Sequence, residues 1–204
     1  MPKIAKTDIV RLKIMLDDAA PVVMRRVVVP IGIRLDRLHT VVQVAMGWTN
    51  SHLWEFRARG TGWGPTVADD GFGDGPLDAS KATLLAVLED TGVKTLKYIY
   101  DFGDAWEHTI KIERIFDGVP GLEMPFLLEA MGRCPPEDIG GSCGYAEFLA
   151  AINDPSHERH AELTEFHGTD FDPKVIDKKR IEGELETLAK RWTRKPAIKP
   201  RKTV

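Results

Sequence analysis

The chain has 204 residues, a formal net charge of −3 at pH 7 and 43% hydrophobic residues. A chain of this length can bury roughly 70% of its unfolded surface, so a core can form without disulfide support. The presence of only two cysteines, the lack of a signal-peptide pattern and the lack of an apolar run of roughly 18 residues predict a reduced, cytoplasmic protein with no membrane partner.

The charge is divided unevenly along the chain. Residues 190–204 hold seven basic residues and no acidic one, which leaves residues 1–189 with a net charge of −10. The prolines and the shortage of apolar residues near the C-terminus predict a basic disordered tail over residues 193–204. Residues 1–192 are then predicted to form a single α+β domain.

The first part of this domain, residues 8–115, is predicted to be rich in β-sheet. Alternating apolar and polar residues indicate strands, whereas apolar residues three and four positions apart indicate helices. In chain order, these patterns predict strands at 10–16, 22–29 and 52–58 and helices at 35–46 and 83–91. A loop rich in Gly and Asp, residues 68–80, resembles a calcium loop, but Phe72 and Lys81 stand where ligands are needed.

A hairpin follows, with strands predicted at residues 96–102 and 106–114 around the turn Phe102-Gly103-Asp104-Ala105. Because alternate residues of a strand share one face, and apolar helix positions form one stripe, the pattern predicts which side chains are buried. These are Leu38, Phe56, Tyr98 and Trp106.

The second part, residues 116–192, is predicted to contain loops and then helices. Helical spacing over residues 145–152 predicts one helix, Ser156 is placed to cap a second that runs through Phe166, and Asp177 is placed to cap a third. The fold class is therefore α+β, with a mainly antiparallel sheet, packed helices and a C-terminal helical part.

Polar residues that could carry chemistry cluster around the hairpin turn and in one stiff loop. Asp residues at a turn commonly accept backbone hydrogen bonds, and a histidine on an apolar strand face is commonly a core residue bonded to a carboxylate, so a purely structural role stays open. The nearest carboxylates in sequence are those of the turn, so we expect one of them to bond to His108. The loop Cys134-Pro-Pro-Glu-Asp-Ile-Gly-Gly is stiffened by its prolines and could aim two carboxylates, and we expect it to dock on the hairpin turn. The catalytic candidates are His52, Asp101, Asp104, His108, Glu137 and Asp138.

The alternative to a site without a cofactor is a site that binds a divalent metal ion. Imidazole and carboxylate ligands suit zinc, iron or manganese, although the spacing matches no compact metal motif. Eight residues separate the two cysteines, which fits no zinc ribbon. We therefore expect two free thiols, unless they bind a metal ion together with histidines. The metal-ligand candidates are His52, Asp101, Asp104, His108, Cys134 and Cys143.

Three segments in this order resemble the plasmid pRiA4b open-reading-frame-three-like family: Trp48–Phe56, Tyr98–His108 and Cys134–Tyr145. The resemblance covers about residues 8 to 192 and implies a compact α+β fold. It implies no established activity.

These observations leave three hypotheses for function. The first is a non-catalytic binding or interaction domain with a protein partner and no cofactor. The second is a divalent-metal-dependent hydrolase that uses His52, Asp101, Asp104, His108 and Glu137. The third is a nucleic-acid binder that uses the basic tail, although the acidic body would oppose binding to phosphates.

Overall fold

The computed structural model describes residues 4–66, 75–168 and 170–193. They form eight strands and five helices. In chain order the elements are β1 Ile9–Leu16, β2 Val23–Pro30, α1 Leu35–Met46, β3 Trp54–Ala58, β4 Thr61–Gly64, β5 Leu77–Asp78, α2 Leu84–Thr91, β6 Thr95–Tyr100, β7 Trp106–Phe116, β8 Phe126–Met131, α3 Gly141–Asn153, α4 His160–His167 and α5 Lys178–Thr193.

All eight strands belong to one sheet, in the order β5-β4-β3-β6-β7-β1-β2-β8. Every neighbouring pair is antiparallel except β4 and β5, which are parallel. The predicted β6–β7 hairpin is confirmed, and Tyr98 pairs with His108 while Tyr100 pairs with Trp106. This register places the turn of the hairpin beside the start of β3, since β3 pairs with the other edge of β6.

The core lies where the alternating strand residues meet the apolar stripe of α1. The four side chains predicted to be buried are confirmed as buried, with exposed fractions of 0% for Leu38, Phe56 and Tyr98 and 2% for Trp106. Helix α1 ends at Gly47, whose φ of 92° suits glycine. Helix α5 contacts both α1 and the strand β8.

Several local predictions can be compared with the structure. Thr83 caps α2 through a hydrogen bond that Ala86 N donates to Oγ1, and Asp177 caps α5 by accepting from Arg180 N. The predicted cap at Ser156 is wrong, because α4 begins only at His160. Ser156 instead donates to Asp154 Oδ1, since a short side chain can bond within its own turn as readily as it can cap a helix.

The sheet also extends past the predicted limit of residue 115. Strand β8 lies in the second part of the chain and pairs with β2, which makes it an edge strand of the same sheet. The predicted disordered tail, apart from Thr193, and most of the calcium-like loop lie outside the described residues. None of the helices within the described ranges is long and apolar enough to cross a membrane.

Candidate functional site

Three chain segments meet at one end of β6. They are the segment 48–52 before β3, the β6–β7 turn at 101–105, and the loop 134–141 before α3, which we call the proline loop. Trp48 Nε1 donates to Pro135 O at 3.1 Å, and Gly140 N donates to Asp104 Oδ2 at 3.1 Å. The prediction that the proline loop docks on the hairpin turn is thereby confirmed.

Asp101 is held in place by the backbone around it. Its amide donates to Leu53 O, its carbonyl accepts from Ala105 N, and its Oδ1 accepts from Gly103 N at 2.9 Å. The residue is 9% exposed and has a φ of 56°, a left-handed conformation that Asp tolerates better than most residues. One carboxylate oxygen therefore serves the turn, and Oδ2 faces outward from it toward His52.

Glu137 of the proline loop acts as a support rather than as a free base. Its carboxylate accepts from Thr49 N at 3.1 Å, from Thr49 Oγ1 at 2.6 Å, from Ser51 Oγ at 3.3 Å and from the Tyr100 hydroxyl at 2.5 Å. Burial alone would raise the pKa of Glu137, but these hydrogen bonds outweigh it and lower the pKa below its usual value. The carboxylate thus stays ionised and joins the proline loop to the segment before β3.

His52, Asp101 and Asp138 form the only group of three or more His, Cys, Asp or Glu side chains in the described ranges with suitably close ligand atoms. Those atoms, one from each residue, all lie within 4.8 Å of one another. Nδ1 of His52 is 3.6 Å from Asp101 Oδ2, and Nε2 is 3.2 Å from Asp138 Oδ1. We call this group the His–Asp–Asp cluster.

Nε2 of His52 is a buried nitrogen that makes no hydrogen bond within the described part of the chain. The nearby Asp138 oxygen is close enough for one but does not lie in the required direction. A buried polar atom without a partner costs free energy and calls for an explanation. A cation or a water molecule next to Nε2 would supply that explanation.

The other candidate residues lie apart from the cluster. Asp104 is bonded to Gly140 N. Cys134 is buried, and that burial raises the pKa of its thiol, whereas Cys143 is exposed on α3. As placed here, neither thiol is a member of the group with close ligand atoms.

His108 is fully buried, and its expected bond to a turn carboxylate is wrong. Nδ1 instead faces Trp106 O at 3.0 Å and Tyr98 O at 3.3 Å, and the ring meets Trp48 edge-on. The reason is the pleat: His108 shares the core face with Trp106, so its side chain points into the core. Burial lowers the pKa of His108 to about 4, which keeps the imidazole neutral at pH 7.

Sequence reasoning missed two buried polar residues. His39 of α1 stacks on Trp54 at 4.0 Å and is bonded to the Tyr98 hydroxyl and to Asn50 Oδ1. Arg25 of β2 is only 1% exposed, although it is a charged residue, and most of the other residues of its strand are buried as well. The signal for both was a polar residue at an apolar position of its element, Arg25 within a β-branched run and His39 beside Leu38.

The structure is that of an α+β protein in which a mainly antiparallel sheet carries a polar cluster at one strand end. The family model of the plasmid pRiA4b ORF-3-like proteins matches residues 8–180, and the chain belongs to that family.

Two relatives illustrate how far the similarity extends. The chain is 56% identical over 188 residues to uncharacterized protein y4hQ of Sinorhizobium fredii (strain NBRC 101917 / NGR234), covering 92% of this chain and 95% of that protein. It is also similar to the crystal structure of a protein of unknown function, MM3350 from Methanosarcina mazei Go1. That similarity has a TM-score of 0.73 and 32% identity, and covers 84% of this chain and 96% of the other.

Proposed function

We propose that this protein is a binding domain that holds a divalent cation at the His–Asp–Asp cluster. The observation that carries the proposal is the convergence of His52, Asp101 and Asp138 around a buried imidazole nitrogen that lacks a hydrogen bond. The three residues come from three separate segments, and two of these, the hairpin turn and the proline loop, are fixed by hydrogen bonds of their own.

The donor set suits a cation of zinc, iron or manganese type. One imidazole with two carboxylates is a mixed nitrogen and oxygen set that these ions accept. Bonds of about 2.0–2.2 Å require the ligand atoms to draw closer than they now lie. The Asp138 side chain is 65% exposed and can rotate to provide this movement.

A second arrangement is equally compatible with cation binding. A metal-bound histidine commonly donates its other ring N–H to a carboxylate, which fixes the orientation of the ring. In this arrangement one of the two aspartates orients His52 and the other binds the cation. Both arrangements require His52 and both aspartates, so the same variants test them.

A metal-dependent hydrolase is the second candidate, and the small number of protein ligands favours it. Three ligands leave coordination positions where a water molecule could be activated. The supporting residues once expected for catalysis, however, have other roles. Glu137 is saturated with hydrogen bonds, and His108 is directed into the core. We therefore place cation binding ahead of catalysis.

Calorimetric titration of the metal-stripped protein with Zn²⁺ and Mn²⁺ tests the proposal. We expect one site per chain, and we expect His52→Gln and Asp138→Asn to weaken binding by at least about tenfold. Asp90→Asn, on the exposed end of α2, is the matched control and should bind as the unchanged protein does. Equal binding by all variants, or no binding by the unchanged protein, would refute the proposal.

Hydrolysis is tested with the same preparations. If the metal-loaded protein cleaves a phosphate or carboxylate ester, and His52→Gln does not, the hydrolase becomes the better description. A protein partner, and nucleic acid bound through the basic tail, stay predictions, since the tail beyond Thr193 lies outside the described residues.

A further inference from the structure

A cleft of about 540 Å³ lies against the proline loop, and none of the three residues of the His–Asp–Asp cluster lines it. It is bounded by the end of α1, by the start of the proline loop, by His167 at the end of α4 and by residues 171–181, which include the start of α5. Three arginines from different elements line it, and we call it the arginine cleft: Arg25, Arg133 and Arg180. Its volume is within the usual range for small-molecule sites, roughly 300–1,000 Å³.

Arg25 is a buried charge that has only neutral partners. Its Nε donates to Ala45 O at 2.7 Å, and its Nη1 donates to the carbonyl oxygens of Met24, Met131 and Gly132 at 2.8–2.9 Å. No carboxylate within the described ranges forms an ion pair with it, and no hydrogen bond there uses Nη2. An unpaired buried charge is costly, so an anion next to Arg25 would stabilise the fold.

Arg133 is positioned by stacking. Its guanidinium lies 4.4 Å from the ring centroid of Phe171, and that ring packs edge-on against Phe148. The backbone is fixed as well, since Arg133 N donates to Pro173 O at 2.7 Å. A stacked guanidinium keeps its N–H edge available, which is the geometry that binds carboxylate or phosphate with two parallel hydrogen bonds.

The acidic residues of the cleft do not neutralise these arginines. The carboxylate of Glu137 accepts hydrogen bonds from Thr49, Ser51 and Tyr100. Asp177 accepts from the backbone N of Arg180. Among the described residues the side chain of Arg180 forms one ion pair, with Glu184 at 3.7 Å, and both side chains are exposed to solvent, where an ion pair contributes little. The cleft therefore has an excess of positive charge over a partly apolar wall.

We propose that the arginine cleft binds a small molecule that carries an oxyanion, a carboxylate or a phosphate, between Arg25, Arg133 and Arg180. The buried guanidinium of Arg25 supplies an uncompensated charge, and Arg133 and Arg180, from two other parts of the lining, supply further N–H groups. The site is separate from the cation site, and neither needs the other in order to form.

Two probes distinguish the sources of the oxyanion: inorganic phosphate and succinate, each titrated at constant ionic strength against NaCl in buffer that contains EDTA. We expect at least one of them to bind in calorimetry and to raise the melting temperature with concentration, because a ligand of the folded state stabilises it. Failure of both to bind more tightly than chloride would overturn the proposal.

Variants locate the bound anion. Arg133→Gln and Arg180→Gln should each weaken binding by about tenfold or more. Arg114→Gln is the matched control, because Arg114 also stacks on an aromatic ring, that of Phe116 at 4.9 Å, but lies outside the cleft. Arg25→Gln is a further variant that is informative only if it folds, and the first two keep the test valid without it.

The relation to the cation site is tested in the same series. His52→Gln should bind the probe as tightly as the unchanged protein. Loss of binding in His52→Gln, with full binding in Arg133→Gln, would place the anion at the cation site and overturn the proposal. Equal binding by Arg133→Gln, Arg180→Gln and Arg114→Gln would do the same.

Discussion

Burial decides the protonation of two histidines that carry no part of the proposed site. His39 is 4% exposed and His108 is fully buried, and in both cases burial lowers the pKa to about 4. Removal from water makes the protonated form of the ring unfavourable, and the hydrogen bonds between the ring and neutral groups do not offset that cost. Both imidazoles are therefore neutral in the folded protein at pH 7. Between about pH 4 and pH 6.5 they become protonated mainly when the chain unfolds.

This difference makes stability depend on pH in a defined direction. The pKa of each histidine is lower in the folded protein than the unfolded value of about 6.5, so the unfolded chain binds protons first. The stabilisation is fully present above about pH 6.5 and is lost as the pH falls toward 4. Each histidine should contribute a slope of about 1.4 kcal/mol per pH unit in this window.

Urea unfolding of His108→Gln at a series of pH values between 6 and 4.5 checks the prediction. We expect a shallower dependence of the unfolding free energy on pH than in the unchanged protein, by about 1.4 kcal/mol per unit. Parallel curves for the two proteins would show that His108 does not titrate differently on unfolding.

At the scale of elements, the proline loop fits closely against the hairpin turn. Gly141 begins α3 with a φ of 66°, and a Cβ at this position would lie 2.3 Å from the carbonyl oxygen of Asp104. Only glycine permits this approach of the loop backbone to the hairpin turn. The same contact holds the loop that carries Asp138 against the turn that carries Asp101.

Gly141→Ala should therefore affect both stability and the cation site. The control is Gly121→Ala, because Gly121 has a φ of 79° but no heavy atom near its added Cβ. The control should cost about 1–2 kcal/mol from backbone strain alone. Gly141→Ala should cost at least about 1 kcal/mol more and should weaken Zn²⁺ binding. Equal costs in urea unfolding would mean that the loop is not tightly docked on the turn.

On the scale of the whole molecule, the sequence predicts those features that depend on the local spacing of apolar residues. Alternation located the β6–β7 hairpin and the burial of Trp106, and helical spacing located α1 up to Gly47. Local period also placed His108 on the apolar side of its strand. It could not reveal that this side is sealed within the core, where the turn carboxylates do not reach.

Contacts between distant segments follow from the assembled sheet and not from spacing. His52 and Asp138 are 86 positions apart and meet because β3 and the proline loop both flank the hairpin turn. Strand β8 was not predicted as part of the sheet, since an edge strand has few buried positions to reveal a period. The burial of Arg25 was missed as well, because the burial of a strand residue depends on the surface that packs against it.

Crystallography of the protein soaked with Zn²⁺, with anomalous diffraction at the zinc edge, is the decisive test of cation binding. We expect a peak at the His–Asp–Asp cluster, about 2.0–2.2 Å from a ring nitrogen of His52 and from an oxygen of Asp138 or Asp101. The second aspartate should be bound to the ion or to the other ring nitrogen. A structure of the zinc-soaked protein with no peak there, and with His52 paired to both carboxylates, would contradict cation binding.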